Sequence, residues 1–343
     1  MAEPRDPLAD LRRIAFLLET ANEPSYRVRA FRGAAATLQR LPAGEAEERA
    51  HGGTLRELGG IGEVLERTIA ESLRGEEPVY LRRLEATGGR VVAELGAELC
   101  AALRGDCHVH SEWSDGGSPI REMAETAREL GHAYMALTDH SPSLTVANGL
   151  TAERLEQQLE EVAQLNIDLA PFRILTGIEV DILPDGSLDQ TPELLSRLDL
   201  VVGSVHSELR MAERLMTRRL VTALADPHLD ILGHCTGRMV TGKRNRPPSA
   251  FDAEIVLAAA AKFDKAVEVN ARPERLDPPK RLLRLAVEAG CRVAIDSDAH
   301  APGQLAWQPY GCDRAAACGV QATMIVNTLD ADALLDWAGA HEA

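Results

Sequence analysis

A chain of 343 residues, 45% of them hydrophobic, is long enough for one large domain and a small one. Only 3% are aromatic, so the core must be built from Ala, Leu, Val and Ile, which suits α/β or helical architecture better than an all-β sandwich. The net charge of −16, taken alone, argues against a nucleic-acid binder, and no apolar run approaches the roughly 18–20 residues of a membrane span.

Residues 8–100 read as successive amphipathic helices. LADLRRIAFLLETA repeats apolar residues at spacings of three and four; a second helix covers Tyr26 to Gln39, and a third starts near Thr54. Arg82–Arg104 reads as a final helix and linker. Residues 1–105 hold 15 Arg and 17 acids, a net of −2, so this part could still carry a local basic face. The remainder holds 22 basic and 36 acidic residues, a net of −14, which would become less negative on binding divalent cations. The first residues, MAEPRDPLADLRR, show no signal-peptide pattern, and the six cysteines form no CxxC pair. The expectation is a cytoplasmic protein with reduced thiols and no membrane partner.

From Asp106 the pattern changes to short β-rich runs: DCHVH, AYMALTDH, RILTGIEVDI, LDLVVGSVH, LDILGHC, KAVEVN and CRVAIDSDAH. Helical stretches separate them, at Pro119–Gly131, Thr151–Ala170, Met211–Ala225, Ala250–Phe263 and Pro279–Gly290. ATMIVN could add a further strand, and GKRNRPPS at 242–249 reads as a loop. Strand–helix alternation implies parallel strands with right-handed crossovers, and seven or eight units favour closure into a barrel.

Six of the ten histidines fall at or just beyond the C-terminal end of an expected strand: His108, His110, His140, His206, His234 and His300. Asp106, Asp115, Asp139, Glu179, Asp296 and Asp298 accompany them. In a parallel barrel, strand C-termini converge on one face, so residues far apart in sequence can meet there. His108 and His110 are two apart, as are Asp298 and His300, so each pair shares a face. A lone histidine near a strand end is more often surface or core than ligand; six together, with these pairs, point to a metal cluster. Imidazole plus carboxylate ligation suits Zn, Mn or Fe. His132 and His228 precede strands and belong to the opposite end.

DCHVHSEWSDG, ALTDHS, GIEVDI, VVGSVH, ILGHCTGR, VEVN and AIDSDAH resemble, in order, the motifs of the polymerase-and-histidinol-phosphatase (PHP) superfamily. The resemblance implies a distorted (βα)7 TIM-like barrel holding three divalent metal ions. It implies that His108, His110, Glu179 and Asp298 hold one ion. Glu179 would bridge to a second, held also by His206 and His234. Asp115, His140 and His300 would hold the third. Asp at position 115 favours the polymerase-associated branch of the superfamily. The implied chemistry is attack of metal-activated water on a phosphate ester. Arg238 and Arg272 are placed to contact phosphate oxygens. With Asn270 and Asp139 they are the candidate catalytic residues. Asp106, Asp139 and Asp296 would orient ligand imidazoles.

ELGGIGEVLERTIAESL resembles a helix-hairpin-helix, with Gly60 and Gly62 at the turn whose backbone N–H groups would meet a DNA phosphate. SYRVRAFRGAAATLQRLP resembles the 8-kDa domain of bacterial family X DNA polymerases, with Arg27, Arg29 and Arg32 as a positive stripe. Two departures matter. Glu63 stands where that family often has Lys, and the first lysine of the chain is Lys243, so the Schiff-base chemistry of a lyase has no nucleophile in this part. The position of Asp106 leaves no room before it for a polymerase palm.

The resulting expectation is an all-α helix-hairpin-helix domain over residues 1–100 and a phosphoesterase barrel over 101–343. It would act on DNA 3′ ends in repair, with no polymerase or lyase activity. The alternative is a histidinol-phosphatase-like phosphomonoesterase acting on a small molecule, which the acidic charge supports. A scaffold with an inert barrel is disfavoured by the complete ligand set.

Overall fold

The computed structural model describes residues 5–88, 91–241 and 245–341. Lys243 and part of the 242–249 loop therefore lie outside the described residues. The chain forms two compact units, divided after residue 90. No described helix is long and apolar enough to cross a membrane.

The first unit is all helical: α1 (Pro7–Thr20), α2 (Ser25–Gln39), α3 (Glu45–Gly52), α4 (Glu63–Leu73) and α5 (Val79–Thr87). The Asp6 side chain caps α1 by accepting the Leu8 N–H, and Pro7 suits the first helical turn. Leu11, Ile14, Ala15 and Leu18 form one fully buried stripe at spacings of three and four, packed with Phe31, Leu65 and Ile69. Thr54 precedes a short 3-10 turn, Leu55–Glu57, and the helix expected there begins only at Glu63. Gly60 sits at φ +83°, a conformation that favours glycine, in the turn entering α4.

The second unit opens with α6 (Ala97–Ala102). Its approach packs on this unit, because the Leu95 and Gly96 N–H groups donate to Asp313 at 2.8 Å. The unit boundary thus falls about ten residues before the expected one. The strands follow as β1 (Gly105–Val109), β2 (Tyr134–Leu137), β3 (Arg173–Asp181), β4 (Leu200–Ser204), β5 (Ile231–Leu232), β6 (Ala266–Asn270) and β7 (Arg292–Asp296). Between and after them come α7 (Ile120–Glu129), α8 (Ala152–Leu169), α9 (Pro192–Leu195), α10 (Glu213–Leu224), α11 (Ala253–Lys262), α12 (Lys280–Glu288), α13 (Gln308–Ala316) and α14 (Ala331–Gly339).

All seven strands are parallel and lie in sequence order. The ring closes through a single bridge, Val109 to Ala299, and the His110 N–H donates to Ala299 O at 2.8 Å. Side chains reinforce this seam. Asp296 accepts the Cys107 N–H at 2.9 Å, Asp106 accepts the Ser297 N–H at 3.3 Å, and Asn327 donates to Ile295 O at 2.7 Å and to Gly105 O at 3.2 Å. Asn327 comes from the ATMIVN stretch. That stretch forms two 3-10 turns rather than a strand, meeting β7 at the Val293–Ile325 bridge and through the Asn327 side chain.

Strand alternation sorts the interior. One face begins with Leu175, Leu200, Ala266 and Ala294, which join an apolar cluster with Leu334 and Trp337 of α14. Further along the same face stand Glu179, Ser204, Glu268 and Asp296, all fully or almost fully buried. The apolar floor thus gives way to a polar mouth at the strand C-termini.

Candidate metal centre

The barrel brings the nine expected ligands into one cluster at that mouth. His108 and His110 leave β1, His140 follows β2, and Glu179 belongs to β3. His206 follows β4, His234 follows β5, and Asp298 and His300 follow β7. Glu179 is central. Its Oε1 lies 2.9 Å from His234 Nε2 and 3.4 Å from His206 Nε2. Its Oε2 lies 2.8 Å from His140 Nδ1, 3.4 Å from His108 Nε2 and 3.6 Å from His110 Nε2. Asp298 Oδ1 is 3.5 Å from His110 Nε2 and 4.0 Å from His108 Nε2. Asp115, the most exposed of the set, reaches His140 Nε2 at 3.5 Å and His300 Nε2 at 3.3 Å.

Donor atoms within 4.8 Å of one another form three groups capable of holding an ion: His110, Asp115, His140 and His300; His108, His110 and Glu179; His140, Glu179 and His206. The first contains the triad that the sequence resemblance implied. In the other two, His110 and His140 are shared, so the grouping is less partitioned than expected.

Whether these residues fit metal ions can be judged from their buried polar atoms. Both Glu179 oxygens, His108 Nε2, and both ring nitrogens of His110, His206 and His234 are buried without a hydrogen-bond partner. Leaving so many polar atoms unpaired would cost about 1–3 kcal/mol each. A cation that accepts their lone pairs removes that cost, and the imidazole–carboxylate donor set suits divalent transition metals. The carboxylates and His110 agree, whereas burial is outweighed by Glu268 and Glu179 at His108, held well above its ordinary value, and by Glu179 and Asp181 at His206, raised to about 9. Burial alone would raise the Glu179 and Asp298 carboxyls, yet the surrounding imidazoles, and Arg275 beside Asp298, hold both well below the usual carboxylate range. Burial, then the His300 and His140 rings, push His110 well below its ordinary value. Anionic carboxylates and neutral imidazole are the forms that bind metal.

The residues behind the cluster differ from expectation. Asp106, Asp139 and Asp296 do not hydrogen-bond to ligand imidazoles. Asp139 accepts from the Ser111 N–H and hydroxyl at 2.8 and 2.6 Å, and from Ser114 and Gln158, so it fixes the loop that carries Asp115. Asp106 and Asp296 hold backbone across the β1–β7 seam. Imidazole contacts fall instead to Glu268, with Oε1 2.6 Å from His108 Nδ1, and to Asp181, 3.6 Å from His206 Nδ1.

The arginines also redistribute. Arg238 donates to the carbonyls of Arg275 and Leu276, so its planar fork is committed to the 272–277 loop rather than to a phosphate. Arg272 does lie at the cluster, with Nη1 3.1 Å from His300 Nδ1 and 3.3 Å from Asp298 O. Arg275, missed from sequence, has Nε 3.1 Å from Asp298 Oδ2, while Nε and Nη1 are buried without an aligned hydrogen-bond acceptor. Asn270 is fully buried and donates to Asp298 Oδ2 at 3.1 Å. Its position makes it a support rather than a surface group.

In the helical unit, Gly62 caps α4, whose first turn carries Glu63 and Glu66. The arginine stripe of α2 is largely consumed internally. Arg32 forms a two-pronged pair with Glu19 at 2.8 and 2.7 Å, and Arg27 pairs with Glu23 at 2.5 Å and with the Tyr80 hydroxyl at 2.6 Å. Arg29 is exposed.

Comparison with known proteins follows the same division. A PHP domain model matches residues 106–272 and a helix-hairpin-helix domain model matches residues 4–78. The chain is 46% identical over 198 residues to the DNA polymerase/3′-5′ exonuclease PolX of Bacillus subtilis; the match covers 58% of this chain but only 34% of that longer protein. It is 30% identical over 205 residues to a probable phosphatase of Acetivibrio thermocellus, covering 57% of this chain and 78% of the relative. A crystal structure of histidinol phosphate phosphatase from Lactococcus lactis, complexed with zinc, L-histidinol and phosphate, superposes with a TM-score of 0.46 at 19% identity, covering 64% of this chain and 94% of that one.

Proposed function

The chain belongs to the PHP-domain family and is a metal-dependent hydrolase of phosphate esters, and from that premise we propose that its substrates are DNA 3′ ends. The observation that carries this reading is the presence in one chain of the metal cluster and a helix-hairpin-helix unit. The likeness to a 3′-5′ exonuclease at 46% identity supports it, although the match spans only 34% of that protein.

In this reading the nine clustered residues hold three divalent ions drawn from Zn, Mn or Fe. His108, His110, Glu179 and Asp298 serve one site, Glu179, His206 and His234 a second, and Asp115, His140 and His300 the third. Bound metals supply an activated water and stabilise charge on the phosphoryl oxygens. Arg272 and Arg275 offer donors to those oxygens from the β6 loop, where they also face Asp298. Asp139 keeps the Asp115 loop in place, and the buried strand ends exclude bulk water from the inner ligands. The turn at Gly60 and Gly62, with Arg29, would hold the DNA backbone. Residues 1–242 contain no lysine, so no Schiff-base lyase activity is expected.

One observation favours the second reading, a small-molecule phosphomonoesterase. Glu63 and Glu66 occupy the first turn of α4, where a DNA phosphate would approach, and like charge opposes such an approach. The metal-loaded protein should be incubated with labelled primer DNA, histidinol phosphate and nitrophenyl phosphate. Shortening or 3′-dephosphorylation of DNA that disappears in His108→Ala supports the first reading. Turnover of the monoesters with the DNA left intact supports the second and defeats the first.

A further inference from the structure

We propose that Glu268 is the positioning residue of the metal centre, setting His108, His234 and Asp298 together through one carboxylate. The inference rests on the reading of this cluster as a metal centre and is independent of which phosphate ester is the substrate. Glu268 lies in β6, is 0% exposed, and is flanked by no cationic side chain on its own strand.

Each of its oxygens has a defined task. Oε1 stands 2.6 Å from His108 Nδ1, a residue 160 positions away. With the Nδ1 hydrogen donated to Glu268, the lone pair of His108 is left on Nε2, the atom that faces Glu179 Oε2 at 3.4 Å. Oε2 accepts the His234 backbone N–H at 2.5 Å, which fixes where the chain leaves β5 and therefore where the His234 ring begins. The same Oε2 accepts from Asn270 Nδ2 at 3.2 Å. That amide nitrogen also donates to Asp298 Oδ2 at 3.1 Å. Glu268 and Asn270 are two apart on one strand, so both point to the interior face.

A carboxylate here has a reason beyond hydrogen bonding. Placing a carboxylate behind a ligand imidazole raises the basicity of the coordinating nitrogen and fixes its ring orientation. Burying a full negative charge at zero exposure is costly unless positive charge stands nearby. Bound divalent ions would provide that charge. Glutamine in its place would keep the volume, but its NH2 group would face N–H donors of His108, or of His234 and Asn270. One side of the hub would then be two donors opposed.

The test measures metal binding, with hydrolysis as a separate readout. Metal-free wild type, Glu268→Gln and Asn270→Ala are titrated with Zn and with Mn against a chromophoric chelator, and the melting temperature of each metal-free form is recorded. Glu268→Gln is expected to bind at least one ion about 10–100-fold more weakly, a loss larger than any fall in its metal-free melting temperature accounts for. Hydrolysis should be recovered at high metal concentration. Asn270→Ala should weaken binding several-fold in the same direction, and it decides the matter if Glu268→Gln does not fold. Wild-type affinity and stoichiometry in the variant that folds would overturn the inference, as would a loss of metal-free stability large enough to account for weaker binding. Wild-type protein that binds no metal would instead defeat the metal centre itself, so the two failures are distinguishable.

Discussion

Glu179 Oε1 lies 2.9 Å from His234 Nε2, while its Oε2 turns to His140 Nδ1 at 2.8 Å. A single buried carboxylate therefore stands between two imidazoles carried by non-adjacent strands. Removing its charge should affect more than one site. Glu179→Gln is expected to lower bound metal, measured by elemental analysis, and to reduce nitrophenyl phosphate hydrolysis by roughly 100-fold or more. Full metal content in the variant would contradict the central role of Glu179.

Arg275 and Arg238 should separate kinetically. Arg275 Nε and Nη1 are buried without an aligned acceptor beside Asp298, and a phosphate oxygen would satisfy them. A hydrogen bond to a charged group is worth about 1.5–3 kcal/mol, so Arg275→Gln should lower kcat/KM by roughly 10–100-fold. Arg238 holds the Arg275 and Leu276 carbonyls. Arg238→Gln should chiefly lower the melting temperature, with a smaller effect on kcat/KM. The reverse ranking in steady-state kinetics would restore Arg238 as the phosphate contact.

Arg29 and Arg32 differ in the same way within the helical unit. Arg32 pairs at two points with Glu19, whose side chain is only 2% exposed. Arg32→Ala strands that charge and should cost about 3 kcal/mol of unfolding free energy in urea titrations. Arg29→Ala should leave stability within about 0.5 kcal/mol. If the unit binds DNA, the Arg29 variant should bind more weakly, with a salt dependence shallower by about one phosphate contact. Unchanged DNA affinity in Arg29→Ala would remove this residue from the interface.

His132 offers a pH signature away from the ligands. Burial pushes its imidazole down to about 4, against an ordinary value of 6.5, despite a hydrogen bond with Gln308 that acts the other way. The fold thus favours the neutral ring. Its contribution is intact above pH 6.5 and is lost as pH falls toward 4, because the unfolded chain takes up the proton first. The loss is on the order of 2 kcal/mol, allowing for partial exposure of the residue. His132→Gln should therefore lose less stability than wild type between about pH 7 and pH 5, compared by urea midpoints at each pH. Equal losses would show that another group dominates.

What the sequence made legible followed from strand-end position and parity. His108 and His110, Asp298 and His300, and the isolated His140, His206 and His234 all announce themselves beside β-rich runs, and the structure gathers them. Glu268 did not, because it is an acid within a strand whose partner lies 160 residues away. Spacing from a ligand also gave proximity without direction: Arg238 stands four residues from His234 yet turns toward the neighbouring loop. The arginine stripe came from the resemblance to the 8-kDa domain, which does not show that Glu19 and Glu23 pair with two of its three members. α3 went unread because EAEERAHG has no apolar period to signal a helix. ATMIVN had strand-like composition, but its Asn327 is spent on the seam, and the backbone turns to deliver it.

The seam carries a final consequence. β1 meets the segment after β7 through one backbone bridge, Val109 to Ala299, beside side-chain bonds from Asp106 and Asp296, and the candidate ligands stand on both of its sides: His108 and His110 from the first strand, Asp298 and His300 from beyond the last. Ions shared between those groups would act as a further clasp on the ring. Binding energy at the mouth would then be spent partly on barrel closure, and metal supply would govern how tightly the architecture is held as well as how fast it turns over.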